Sequence, residues 1–201
     1  VKAPFEDCFY VTMMASAYFM RNASWKAPTG KKGKKETYDG AMIYNPLEAE
    51  TNGLHLNVAA FDFSSLYPSV AVARNISWES ESETEFAVNI KTPRGLGKTK
   101  QEDWRYYKTD KLGLLPEMIL TLKPLRKEYK IKMLKALQEG NKKEYVKWNS
   151  MQMATKRLLA SLYGATAAIG FGWYDLDLAA SITASAREAI REAAFKVREL
   201  E

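Results

Sequence analysis

At 201 residues, 46% hydrophobic and 27% charged, the chain is long enough for one large domain or two small ones and has an ordinary globular composition. One cysteine and one histidine exclude an internal disulfide, zinc fingers and His-rich metal centres, favour a reducing compartment, and leave hard cations on carboxylates as the expected metal chemistry. A net charge of +6 and a pI near 9.2 favour a polyanionic partner, nucleic acid first, and no apolar run reaches the roughly 18 residues that a membrane span needs.

Residues 5–22 (FEDCFYVTMMASAYFMRN) are apolar at helical spacing and predict a packed helix. Residues 27–37 are a Gly/Lys-rich loop, and YDGAMIYNP (38–46) reads as a glycine turn followed by a short strand. LHLNVAA and the residues after it predict a buried strand over 54–63, with Asp62 near its end. A carboxylate there would cost several kcal/mol unless something positive answered it. Leu66 to Ala73 is expected to restart as a helix after Pro68.

Residues 79–111 are polar, with strand-like fragments at 86–90 and 104–108. From Pro116 a long amphipathic helix begins, its buried stripe formed by Met118, Leu122, Leu125, Tyr129, Met133 and Leu137. Pro124 should kink or restart it. Glu139-Gly140-Asn141 predicts a stop, and a second helix runs from about Lys142 to Tyr163, closed by Gly164. So short a turn makes the pair an antiparallel hairpin. Phe171–Tyr174 reads as a short strand, and Asp177 as the cap of a final helix. No Met opens the chain and no stop signal ends this helix before Glu201, so the sequence reads as a piece of something longer.

GLGKT (95–99) lacks the phosphate-loop glycine, since position 92 is Thr, and reads as a basic loop. Asp175 and Asp177 look like a carboxylate pair, but capping explains Asp177, and Asp175 is expected in solvent. His55 has no partner within reach in sequence. Arg126 and Lys130 share one helical face, and Lys156, Ala160, Tyr163 and Gly164 share another. Should those faces converge, their cations would suit a triphosphate; the plainer alternative is a solvated basic hairpin.

DFSSLYPS (62–69), followed by KRLLASLYG (156–164), resembles the two signature motifs Asp-x-x-Ser-Leu-Tyr-Pro-Ser and Lys-x-x-x-Asn-Ser-x-Tyr-Gly of family B DNA polymerases. YDGA (38–41) resembles that family's Tyr-x-Gly-Gly/Ala motif, and PLRKEYK (124–130) its fingers segment. The resemblance implies an α+β fold: a partial palm with an inserted antiparallel two-helix fingers hairpin. It implies the first part of the palm over 1–115, the fingers over 116–164, and a return to the palm over 165–201.

By the same resemblance Asp62 and the Phe63 carbonyl are ligands of Mg²⁺, two ions roughly 3.5–4 Å apart. Ser65 and Leu66 offer backbone N–H groups to the triphosphate, Tyr67 carries the deoxyribose, and Arg126, Lys130 and Lys156 hold phosphates beside position 160. Tyr163 and Gly164 face the nascent base pair, and Tyr38 and Gly40 the template. The implied partners are primer–template DNA, dNTP and the rest of a polymerase, namely an exonuclease module, a third motif with the second metal carboxylate, and a thumb. No membrane is implied, and the location would be cytoplasmic or nucleoid-associated, or a host's cytoplasm for a viral protein. Without the third motif the fragment alone would be inactive. Position 160 is Ala where the motif has Asn, and Trp78 stands in NISWES where many members have Pro. A module that grips primer–template without catalysis is the alternative.

Overall fold

The structure is a computed structural model, and it describes residues 38, 40–42, 61–82, 89–93, 104–168 and 173–199. The expected helix at 5–22, the loop at 27–37, His55, the strand over 54–60 and GLGKT all lie outside these residues. The elements in chain order are α1 (Leu66–Ala73), β1 (Glu81–Ser82), β2 (Asn89–Pro93), β3 (Trp104–Lys108), α2 (Leu114–Gln138), α3 (Lys142–Thr166) and α4 (Leu176–Arg198). The described part is therefore mostly helical, with one three-stranded sheet of order β1-β3-β2, antiparallel at both pairings. Among the described residues no helix is long and apolar enough to cross a membrane.

The core forms where α1, the inner ends of α2 and α3, and α4 meet the sheet. Tyr107 of β3 is fully buried, and its hydroxyl is 3.0 Å from Ser181 Oγ on α4. Residues 178–186 of α4 (LAASITASA) are all buried. Small residues at Ala179, Ala180, Ala184 and Ala186 let neighbours approach on every side, which is how a helix comes to be swallowed whole. Trp78 is buried edge-on to Trp173 with ring centroids 5.3 Å apart, and its indole N–H donates to the Trp173 carbonyl at 3.2 Å.

α2 and α3 form the expected hairpin, packed closely enough for Tyr129 to stack on Trp148 at 5.8 Å. The predicted stripe holds at its base, where Met118 and Leu122 are buried, and opens at the tip, where Leu137 is 57% exposed. The turn follows from its three residues. Gly140 takes φ +67°, which glycine adopts without steric cost. The Gly140 N–H then donates to the Leu137 carbonyl at 3.2 Å and that of Asn141 to Ala136 at 2.9 Å, the Schellman pattern. Asn141 at once caps α3, accepting from the Glu144 N–H at 3.2 Å.

Several expectations are corrected. Pro124 does not restart α2, which runs through it as one helix; the carbonyl that loses a donor belongs to Leu120, an exposed residue. Gly164 does not close α3, which runs two residues further and ends where Thr166 Oγ1 donates to the Tyr163 carbonyl at 2.7 Å. Residues 61–63 are irregular and exposed rather than the end of a buried strand. Trp173 and Tyr174 form a turn and an irregular stretch, not a strand. The two aspartates exchange roles. Asp175 is the cap, its Oδ1 accepting from the Leu178 N–H at 3.1 Å, and Asp177 lies in the first turn, 3.0 Å from Arg105.

Candidate functional site

The end of α1, the hairpin base and α4 enclose a cavity of about 770 Å³. Asp62, Ser65, Leu66 and Tyr67 line it from the start of α1, Arg126 from α2, and Lys156, Ala160 and Tyr163 from α3. Of the residues expected at such a site, these eight come together. Lys130 lies one helical turn beyond Arg126, exposed and outside the lining, and Phe63 and Gly164 are also not among the lining residues.

Each side chain owes its place to its element. Ser65 is the N-cap of α1 in the left-handed region, at φ 55° and ψ 52°, and its side chain caps nothing. A non-glycine residue held there stores about 1–3 kcal/mol of backbone strain. The first amides of a helix have no intrahelical acceptor, and α1 begins on the cavity wall, so its positive end faces the space. Pro68 fits in the first turn, where no N–H is needed.

Three cations, Arg126, Lys156 and Arg187, face the cavity against one carboxylate, Asp62. Asp62 is exposed, so its charge carries none of the burial cost that a strand end would impose. Arg126 is the more telling group. Its Nε is buried and hydrogen-bonded to nothing among the described residues. A buried guanidinium nitrogen with no acceptor is costly, and an anion in the cavity would satisfy it. The lining carries a net positive charge together with apolar side chains, among them Leu159, Ala160 and Ile190.

Aromatic groups close one side. Tyr67 and Tyr163 sit ring to ring at 4.8 Å, and the Tyr163 hydroxyl lies 2.8 Å from that of Tyr38. Burial pushes the Tyr163 phenol well above its ordinary pKa, reinforced by the Tyr38 hydrogen bond; burial likewise raises Tyr67, against a small opposing pull from Arg187. Both phenols therefore stay protonated. Arg187 Nη1 donates to the Gly40 carbonyl at 2.8 Å, so Tyr38 and Gly40 are both fastened to the rim.

Sequence reasoning missed the fourth wall. Thr183, Ala186, Arg187 and Ile190 of α4 line the cavity at i, i+3, i+4 and i+7, a helical face legible in ITASAREAI. Its one cation, Arg187, was the available signal.

Asp62 is a hard oxygen donor of the kind Mg²⁺ takes. Among the described residues no three His, Cys, Asp or Glu side chains cluster as a metal site. Asp62 is the one acidic residue of the cavity lining, so the described residues could offer such an ion one carboxylate and do not supply a full ligand set.

A sequence model of DNA polymerase family B matches residues 8–200. The chain is 31% identical over 164 residues to the DNA polymerase delta catalytic subunit of Caenorhabditis elegans, covering 79% of this chain and 14% of that protein. Against DNA polymerase 1 of Aeropyrum pernix it is 28% identical over 167 residues, 83% of this chain and 16% of that one. It thus spans roughly a seventh of these curated relatives. The structure of the family B DNA polymerase from the hyperthermophilic archaeon Pyrobaculum calidifontis shares the fold at a TM-score of 0.63 and 24% identity, over 93% of this chain and 23% of that chain. With nearly its whole length matched by the family's sequence model, the chain belongs to DNA polymerase family B.

Proposed function

We propose that this chain is the nucleotide-handling part of a template-directed DNA polymerase, with the sheet, α1 and α4 as palm and the α2–α3 hairpin as fingers. In the division expected from sequence, residues 1–115 and 165–201 belong to the palm and 116–164 to the fingers. The observation that carries the reading is the meeting in one cavity of Asp62, Tyr67, Arg126 and Lys156, with Arg126 Nε buried and awaiting an acceptor.

In this reading Arg126 and Lys156 hold the triphosphate of a dNTP, and the amides at the start of α1 add donors to it. Lys130 joins them on an inward movement of the fingers. Tyr67, pressed against Tyr163, presents a fixed ring to the sugar, so a 2′-hydroxyl meets a wall. Tyr163 and Gly164 border the nascent base pair, and Tyr38 and Gly40 the template strand. Asp62, with the Phe63 carbonyl, would hold Mg²⁺, which when bound polarises phosphoryl oxygens. Catalysis by the protein is then positioning and electrostatic stabilisation of phosphoryl transfer.

The test uses a polymerase containing this chain, with primer–template and Mg²⁺. Asp62→Ala should abolish primer extension and leave DNA binding within about twofold. Equal extension by both proteins would place the chemistry elsewhere. Tyr67→Ala should raise ribonucleotide incorporation, and unchanged sugar selectivity would remove that role from Tyr67. The second reading, a module that binds primer–template without catalysis, draws on the incomplete ligand set among the described residues. It predicts DNA binding and no extension by the unsubstituted polymerase.

A further inference from the structure

The first turn of α2 is capped by residues far behind it in the chain. Its own N-cap is Gly113, which has no side chain to accept a hydrogen bond. Three successive amides donate instead to the NISWES segment: Gly113 to Asn75 Oδ1 at 2.8 Å, Leu114 to the Glu79 carboxylate, and Leu115 to Ser77 Oγ at 3.1 Å. The Ser77 hydroxyl in turn donates to Glu79 Oε2 at 2.7 Å, so Glu79 holds both the helix and its fellow cap. Asn75 and Ser77 are buried. The side-chain amide of Asn75 donates to the carbonyls of Lys108 and Lys111 at 2.6 and 2.8 Å. The fit leaves no slack, for a Cβ on Gly113 would lie 2.5 Å from Ser77 Cβ.

This knot joins two neighbouring helices that both line the cavity. α1 starts at the cavity wall and leads into Asn75; α2 starts at the knot and returns to the cavity at Arg126. Between them Lys123 Nζ donates to Ser69 Oγ at 3.2 Å. From Gly113 to Arg126 is about 20 Å of helix at 1.5 Å per residue. A tilt of about 3° at the base therefore moves Arg126 by about 1 Å, a displacement that costs on the order of 10²-fold where position sets rate.

We propose that Glu79 is a positioning residue: by capping α2 from a distant part of the chain it fixes where Arg126 stands over the triphosphate, without touching the nucleotide itself. The inference rests on the polymerase reading given above. A carboxylate suits the task because it accepts two hydrogen bonds at once and lies at the positive end of the helix. Glu79 is only partly buried, so shortening it opens no hole in the core.

The experiment measures single-nucleotide incorporation by a polymerase containing this chain, at saturating primer–template. Glu79→Ala should raise the KM for dNTP at least about fivefold, with the Kd for primer–template within about twofold. Glu79→Gln, which keeps an oxygen acceptor, should recover most of the loss. Arg126→Ala should also raise KM, and Glu79→Ala added to it should do little more, because both act through one guanidinium. A purely structural role would lower Tm and leave KM unmoved, or add fully to Arg126→Ala; either result overturns the proposal. Should Glu79→Ala fail to fold, Ser77→Ala, which removes the Leu115 acceptor, takes its place under the same criteria. If the unsubstituted polymerase does not extend primers, the function reading falls first and this inference with it. Normal extension with an unchanged KM in Glu79→Ala sinks this inference alone.

Discussion

The hydroxyls of Tyr38 and Tyr163 lie 2.8 Å apart although 125 positions separate them in the chain. One is on the strip that Arg187 holds through the Gly40 carbonyl, the other on α3 against the ring of Tyr67. The bond therefore ties the strip to α3 and, through Arg187 and Tyr67, brings four segments to one corner of the cavity. Removing either hydroxyl should cost about 1 kcal/mol of stability, and because they share one bond the losses should not add. A denaturation cycle of Tyr38→Phe, Tyr163→Phe and the pair should show the double variant costing little more than either single one. Full additivity would mean the two phenols are satisfied independently.

What the sequence made legible and what it hid divide along a physical line. Local signals were reliable: Glu139-Gly140-Asn141 specifies its turn by φ at Gly140 and a capping oxygen at Asn141, both properties of the residues themselves. Tyr67, Arg126, Lys156, Ala160 and Tyr163 line one cavity, while Lys130 and Gly164 of the same motifs do not: helical spacing fixes which side chains of one helix share a face, not where two faces meet. Most of what failed depended on partners distant in sequence, Gly164 being the exception. Nothing near Asp175 and Asp177 says that Arg105 stands by to take one of them and leave the other as the cap. The Asn75–Glu79 cap of α2 spans more than thirty residues and satisfies a helix whose own N-cap is a glycine. Gly164 misled because glycine stops a helix only where the chain turns left-handed, and here it stays helical.

That same glycine separates stability from function. A Cβ at Gly164 would meet nothing within 4 Å, and the position is inside α3. Replacing it by Ala should stabilise the fold by about 1 kcal/mol through helix propensity. If the open space beside it is where the nascent base pair sits, Gly164→Ala should also lower primer extension. Gly140→Ala is the control: at φ +67° a side chain meets strain of about 1–2 kcal/mol, so stability should fall. A rise in Tm with undiminished extension for Gly164→Ala would take that glycine out of the DNA-facing surface.

Asp175 offers a test in pH. Burial raises its carboxyl above the ordinary value, outweighing the Leu178 N–H it accepts from; the neighbouring charge of Asp177 pushes the same way, and Arg105 pulls back. Between the unfolded pKa of about 3.9 and the higher folded one, the folded state binds the extra proton. Stability contributed by this group is therefore greatest below that window, falls as pH rises through it, and is flat above. Asp175→Asn keeps an oxygen for the Leu178 N–H and has no charge to desolvate. It should match or exceed the parent in stability at pH 7 and lose this descent between acid and neutral pH. Asp175→Ala removes the cap as well as the charge and should be less stable than Asp175→Asn by about 1 kcal/mol at every pH. Urea denaturation at pH 4 and pH 7 reads both differences. A loss in Asp175→Asn as large as that in Asp175→Ala would show that the ionised carboxylate, through the positive end of α4, contributes more than its burial costs.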